Sequence, residues 1–139
     1  MKVQLLMYVY PKTEFRMKNK PVILIVEDDI VLNEAYMTIL KTIYSNVYCA
    51  YNGEEALHVA NQHDPDIIFL DLRMPVLDGI GFMEKYHPKE KHPEVSIIVF
   101  SNYDMQAEVD RAHELGAERY VLKALATPRS LLKIVNDLS

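Results

Sequence analysis

The sequence predicts an α/β protein: a doubly wound, five-stranded parallel sheet with helices on both faces. Three observations carry that expectation. From Pro21 onward, short apolar runs alternate with longer amphipathic segments. The short runs are continuously apolar, the pattern of strands covered on both sides, where a half-exposed strand would alternate. Their order is βαβαβαβαβα, and right-handed crossovers between parallel strands fold such a series into an open sheet.

The elements follow in order. Val22–Val26, inside "PVILIVEDDI", is the first strand. Val31 to Tyr44 reads as a helix with Val31, Leu32, Ala35, Ile39, Leu40 and Ile43 on its apolar face. Val47–Tyr51 is the second strand, and Cys49 within it reads as a small buried hydrophobe. Gly53–Gln62 is the second helix and Ile67–Leu70 the third strand. Asp78-Gly79 reads as a turn in which glycine supplies a positive φ, opening a short helix that runs to Tyr86. Ser96–Phe100 is the fourth strand, and the helix Met105–Leu115 is stopped by Gly116. Tyr120–Leu122 is the fifth strand, after which Thr127 caps a helix with Pro128 at its first position, running to Leu138.

A chain of 139 residues suits one domain, expected over residues 21–139, with residues 1–20 as an N-terminal extension. Met17 stands just before the first strand as a second natural start, and no second domain is expected. A net charge of −5 argues against a nucleic-acid-binding face, which must be basic. The single cysteine excludes an intramolecular disulfide and a multi-thiolate zinc site. No apolar stretch reaches the roughly 20 residues of a membrane span, so a cytoplasmic protein without membrane contact is expected. The five histidines lack HExxH spacing, and neither GxGxxG nor a Walker loop occurs.

Ligands of such folds bind beyond the carboxyl ends of the strands. There the chain places Glu27-Asp28-Asp29, then Asp71, then Ser101 and Asn102, then Lys123. Crowded carboxylates raise one another's pKa unless a cation neutralises them. Oxygen ligands at this density suit Mg²⁺. With a lysine and a hydroxyl added, the group is equipped for phosphoryl transfer, one carboxylate acting as nucleophile. Asp29 reads differently, as an acid favoured at the start of the first helix.

"ILIVEDD", "DIIFLDLRMPVLDG", "IIVFSN" and "GAERYVLK" occur in this order over nearly all of residues 21–139. Together they resemble the bacterial response-regulator receiver domain. The resemblance implies a flavodoxin-like (βα)5 fold with strand order 2-1-3-4-5. It implies that Asp71 is the aspartate phosphorylated by a phosphohistidine in a Mg²⁺-dependent reaction. Glu27 and Asp28 match the acidic pair at the metal, Asp28 as direct ligand, with Asp71 and the backbone carbonyl of Arg73 completing the site. Ser101 matches the hydroxyl that meets the phosphoryl oxygen and Lys123 the lysine that pairs with it. Tyr120 matches the aromatic whose rotation, together with Ser101, reports the phosphorylated state.

The implied protein is a stand-alone phosphoacceptor of a two-component phosphorelay, not a classical enzyme but a signalling domain that assists its own phosphoryl transfer and dephosphorylation. Its implied partners are a histidine kinase or histidine phosphotransfer protein, a downstream protein target, and a second copy in a phosphorylation-dependent dimer, without direct nucleic-acid contact. Lys123 is followed by Ala124 where the family usually has proline, so a cis bond is not expected there. Arg73 and Tyr103 occupy the flanking positions, where their bulk is expected to hinder an attacking water. Phosphatases of the haloacid-dehalogenase type usually carry D-x-D after the first strand, whereas "DLR" here follows the third. The acidic "EDD" would repel a flavin phosphate, and the intact acid, serine and lysine set disfavours a receiver reduced to a binding module.

Overall fold

The structure, a computed structural model, describes residues 20–139, so the expected extension at residues 1–20 lies, all but Lys20, outside the described residues. Strands β1 (Val22–Val26), β2 (Asn46–Ala50), β3 (Ile67–Asp71), β4 (Ser96–Ser101) and β5 (Arg119–Leu122) alternate with five helices. These are α1 (Ile30–Lys41), α2 (Gly53–His63), α3 (Gly79–Tyr86), α4 (Gln106–Leu115) and α5 (Pro128–Leu138). A single helical turn, Pro88–Lys91, follows α3, and a 3₁₀ turn, Lys123–Leu125, follows β5. The strands form one parallel sheet in the order β2-β1-β3-β4-β5, as expected.

Alternation along each strand feeds two cores. Ile23, Ile25, Phe69, Ile98 and Phe100 meet Tyr36 and Leu40 of α1 and Leu131 and Val135 of α5. Leu24, Val26, Leu70 and Val99 meet Ala56 and Ala60 of α2, Phe82 and Met83 of α3 and Ala112 of α4. Fully burying such side chains contributes roughly 1.5–3 kcal/mol each, which is what fixes the register. Register in turn fixes the edge. Val26 pairs with Ala50 and Leu70, Asp71 with Phe100, and Ser101 with Leu122. The chain positions just past these pairs, Glu27 and Lys123, therefore emerge beside Asp71 and Ser101.

Four local expectations change. Helix α1 starts one residue earlier, at Ile30, because Asp29 is its N-cap and accepts from Leu32 N. Its buried stripe is Asn33, Tyr36 and Leu40, while Val31 and Ile43 are exposed. Asp78-Gly79 is no left-handed turn: Asp78 caps α3 through Gly81 N. Gly79 is required instead by close approach, since a Cβ there would lie 2.7 Å from the Asp71 carbonyl oxygen and 2.8 Å from Leu72 Cα. Cys49 is only half-buried. Strand β5 is an edge, so Arg119 and Tyr120 are exposed where cover on both faces was expected. The expected caps at Gly116 (φ 122°) and at Thr127 with Pro128 are present. Among the described residues no peptide bond is cis, and no helix is long and apolar enough to cross a membrane.

The left-handed residue of the β3–α3 loop is Val76, with φ 72° and its side chain 74% exposed. A β-branched residue is a genuine outlier there, at a cost of roughly 1–2 kcal/mol. The loop holds it because Leu77 N bonds Pro75 O at 2.8 Å and Leu77 O accepts from Gly53 N at 2.7 Å. Val76→Asn, which tolerates this conformation, is expected to stabilise the protein by about 1 kcal/mol in urea unfolding. A lowered midpoint would show that the loop carries no such strain.

Candidate functional site

Glu27 is the first residue past β1, and its N–H still bonds Ala50 O at 3.1 Å. Asn33, fully buried on α1, donates Nδ2 to Glu27 O (2.9 Å) and Ala50 O (3.1 Å), tying the ends of β1 and β2 to the helix. This clamp leaves the Glu27 side chain fully buried, unlike the two acids that follow it. Asp71 ends β3 at 3% exposure, and Ser101 ends β4 at 2%.

Lys123 joins them from the 3₁₀ turn. Its Nζ donates to Asp71 Oδ2 at 2.8 Å and to Glu27 Oε2 at 3.3 Å, with Glu27 Oε1 at 3.2 Å. Asp29 N donates to Glu27 Oε2 at 3.0 Å, and Arg73 N to Asp71 Oδ1 at 3.3 Å. The structure thus brings Glu27, Asp28, Asp71 and Lys123 together, with Ser101 on the neighbouring strand end. Asp29 is set apart at its cap.

Burial sets the electrostatics. It pushes the Glu27 carboxyl up from 4.5 to about 7, partly offset by the bond from Asp29 N; Asp71 adds to the rise and Lys123 opposes it. Burial likewise raises Asp71, against the pull of Lys123. For Lys123, burial disfavours the charge, yet its bond to Asp71 and the two acids outweigh this and hold it protonated. Carboxylate oxygens of Glu27, Asp28 and Asp71 lie within 4.8 Å of one another. Glu27 Oε1 is buried without a hydrogen bond. Hard carboxylate oxygens this close, with Glu27 Oε1 beside the Lys123 ammonium at 3.2 Å but accepting no hydrogen bond, fit a divalent cation.

Tyr120 lies on the edge strand at 58% exposure and lines an open groove of about 520 Å³ with Val109 and His113 of α4. It is not ordinary core. The Arg73 guanidinium reaches across to the next loop, with Nε to Glu108 Oε2 at 3.1 Å and Nη1 to Asp104 Oδ2 at 3.6 Å. Tyr103 is 86% exposed. Sequence reasoning missed Asn33, Tyr36 and the Arg73 bridge. The 33-36-40 spacing around polar Asn33 was the available signal for the first two.

Fold and site define a doubly wound α/β domain with an acidic, lysine-bearing pocket at the carboxyl edge of its sheet. A sequence model of the response regulator receiver domain matches residues 23–136, and the chain belongs to that family. Its members are signalling domains of two-component systems, not classical enzymes, and they bind Mg²⁺ at an acidic pocket.

The chain is 32% identical over 116 residues to a probable transcriptional regulator, ycf29, of Pyropia yezoensis, covering 84% of this chain and 52% of that protein. It is 35% identical over 115 residues to another probable transcriptional regulator, ycf27, of Guillardia theta, covering 83% of this chain and 44% of that protein. The chain therefore spans about half the length of these relatives. Among solved structures it is similar to the N-terminal domain of an uncharacterized protein from Wolinella succinogenes (TM-score 0.74, 32% identity, covering 85% and 92% of the two chains). It is also similar to the receiver domain of AraT from Geobacillus stearothermophilus (TM-score 0.70, 30% identity, covering 85% and 92%). The Vibrio cholerae chemotaxis protein CheY4 shares the fold (TM-score 0.75, 23% identity, covering 86% and 99%).

The raised Glu27 pKa has a definite sign. Below about pH 4.5 the group is protonated in both folded and unfolded chains and costs nothing. Between about 4.5 and about 7 the folded protein keeps a proton that the unfolded chain has released, so stability falls as pH rises. Metal-free protein is therefore expected to lose on the order of 2 kcal/mol from pH 5 to 7.5 through Glu27, a limb that Glu27→Gln flattens. Urea unfolding across that range reads it, and equal slopes in the two proteins would contradict the assignment.

Proposed function

We propose that the domain over residues 21–139 is a phosphoacceptor that takes a phosphoryl group from a phosphohistidine onto Asp71. The observation that carries this reading is Lys123 Nζ, shared between Asp71 and Glu27 at 2.8 and 3.3 Å. An ammonium already on the acceptor is where the incoming phosphoryl charge must be met. An Asp71 carboxylate oxygen attacks phosphorus, the P–N bond breaks, and the imidazole nitrogen keeps the electron pair and takes a proton from solvent. Asp71 becomes an aspartyl-phosphate.

Glu27, Asp28, Asp71 and the Arg73 carbonyl would hold Mg²⁺. When bound, the ion supplies charge neutralisation between the acids and the phosphoryl group. Lys123 exchanges its bond to the carboxylate for one to a phosphoryl oxygen, and the Ser101 hydroxyl donates to another. An exposure of only 3% keeps bulk water from the acceptor. The aspartyl-phosphate carries about −1.5 to −2 where the carboxylate carried −1, and its phosphoryl oxygens draw Ser101 inward. Tyr120, now outward beside its groove, turns toward the space that Ser101 vacates, which biases a pre-existing two-state equilibrium. The donor is a histidine kinase or phosphotransfer protein, and a protein target reads the altered face, either a second copy of this chain or a different protein.

Incubated with Mg²⁺ and acetyl phosphate, the wild type is expected to gain the mass of one phosphoryl group, and Asp71→Asn none. No gain in the wild type, with Mg²⁺ still bound, would leave only a binding module.

Titration calorimetry separates the three consecutive acids. Asp28→Ala should weaken Mg²⁺ binding by more than about tenfold, the loss expected when a direct ligand is removed. Asp29→Ala should leave Mg²⁺ binding near wild type and instead cost about 1 kcal/mol of stability through the lost cap. Equal losses of affinity would undo the division.

A further inference from the structure

The turn that delivers Lys123 buries none of its own residues, Lys123, Ala124 and Leu125, and Leu125 is 64% exposed. No proline stiffens the Lys123-Ala124 junction. Yet the lysine must meet two buried carboxylates, and a long, flexible side chain gains precision only from a fixed root.

That root is held from α1. Tyr36 is fully buried, and its hydroxyl donates to the carbonyl of Ala126. Ala126, itself only 4% exposed, returns its N–H to the Lys123 carbonyl at 3.2 Å, closing the turn. The Tyr36 ring packs on Phe100 with centroids 5.7 Å apart, and Phe100 directly precedes Ser101. One side chain thus touches the residue next to Ser101 and the turn that presents Lys123.

A hydroxyl is costly in a core unless it is bonded, and phenylalanine would fill the same space. Burial pushes the phenol up to about 12, so it remains a donor at neutral pH. Outside, Ser130 Oγ donates to Leu125 O at 3.1 Å, so the turn is gripped from both sides.

The geometry points to Tyr36 as a positioning residue that sets Lys123 on the acceptor through the Ala126 carbonyl. This role rests on the phosphoacceptor reading of Asp71 and adds to it a residue outside the acid, serine and lysine set.

Tyr36→Phe removes the hydroxyl and keeps the ring. It is expected to slow phosphorylation by acetyl phosphate roughly tenfold while Mg²⁺ affinity stays at the wild-type value. In a Lys123→Ala background the same change should have no further effect, because the two act as one unit. A purely structural loss would slow both backgrounds alike, and that result overturns the proposal. Hydrogen exchange supplies a second readout that needs no chemistry. In Tyr36→Phe the amides of residues 124–126 should exchange faster while those of β3 do not, and unchanged exchange at Ala126 overturns the anchoring. A wild type that gains no phosphoryl group overturns the phosphoacceptor reading and this role with it. A wild type and Tyr36→Phe modified equally fast overturn this role alone.

Discussion

Two buried carboxylates in contact cannot both ionise without a cation, and the protein supplies one in Lys123. This triad of Glu27, Asp71 and Lys123 is the constraint on which the rest depends. Removing the ammonium would leave uncompensated buried charge, the costly way to break such a pair. Burial raises both acids and works against the lysine charge, yet the bond to Asp71 and the two neighbouring acids keep Lys123 protonated. The site is held under electrostatic tension, which a divalent cation or a phosphoryl group would redistribute. That is a useful property in a receiver domain, whose output is a change of state.

The triad draws on three strands that are far apart in sequence, so sheet register is its true scaffold. Parallel pairing of β1 with β3, β3 with β4 and β4 with β5 brings Glu27, Asp71 and Lys123 to one edge, and a one-residue slip would send a side chain to the opposite face. Two cores forbid that slip, because the interior strands β1, β3 and β4 are buried on both faces. Backbone contacts tighten the edge further. Gly79 lies against the Asp71 carbonyl too closely for any Cβ, and Asn33 clamps the ends of β1 and β2.

Much of this was legible in the sequence, for identifiable reasons. Continuous apolar runs gave the strands because the interior strands of a parallel sheet have no wet face. The polar residues that end those runs named the edge. Edge strand β5 was legible as a strand but not as half-exposed, since a four-residue run does not reveal which sheet neighbour is missing. The α1 face was misjudged because hydrophobicity placed Val31 and Ile43 inward, whereas packing chose Asn33, Tyr36 and Leu40. Asn33 is buried for its two donor bonds and Tyr36 for its hydroxyl bond, and apolar periodicity is blind to polar groups buried with their partners. Asp78-Gly79 had a plausible turn chemistry, but contact with a backbone oxygen, not φ, demanded the glycine.

The same contacts divide the edge into a rigid half and a compliant one. On the β1–β3 side, Glu27, Asp71 and Gly79 are packed against backbone, and the β3–α3 loop is tied to α2 through Gly53 and Leu77. On the β4–β5 side, Tyr103, Tyr120 and Leu125 are exposed, and the Lys123 turn buries none of its own residues. Regions with few buried contacts move at the least cost in free energy. In the proposed reading, a charge change at Asp71 relaxes toward the β4–α4 loop and β5, beside Ser101 and Lys123, and not back through the acid cluster. Arg73 spans the two halves by pairing with Asp104 and Glu108 across the loops. Both pairs are largely solvent-exposed and individually weak, so they can yield when the compliant half shifts. Asp71 is fixed on one side and the exposed β4–β5 residues are loosely held on the other, an asymmetry that suits the proposed phosphoacceptor role by giving a local charge one direction in which to move the chain.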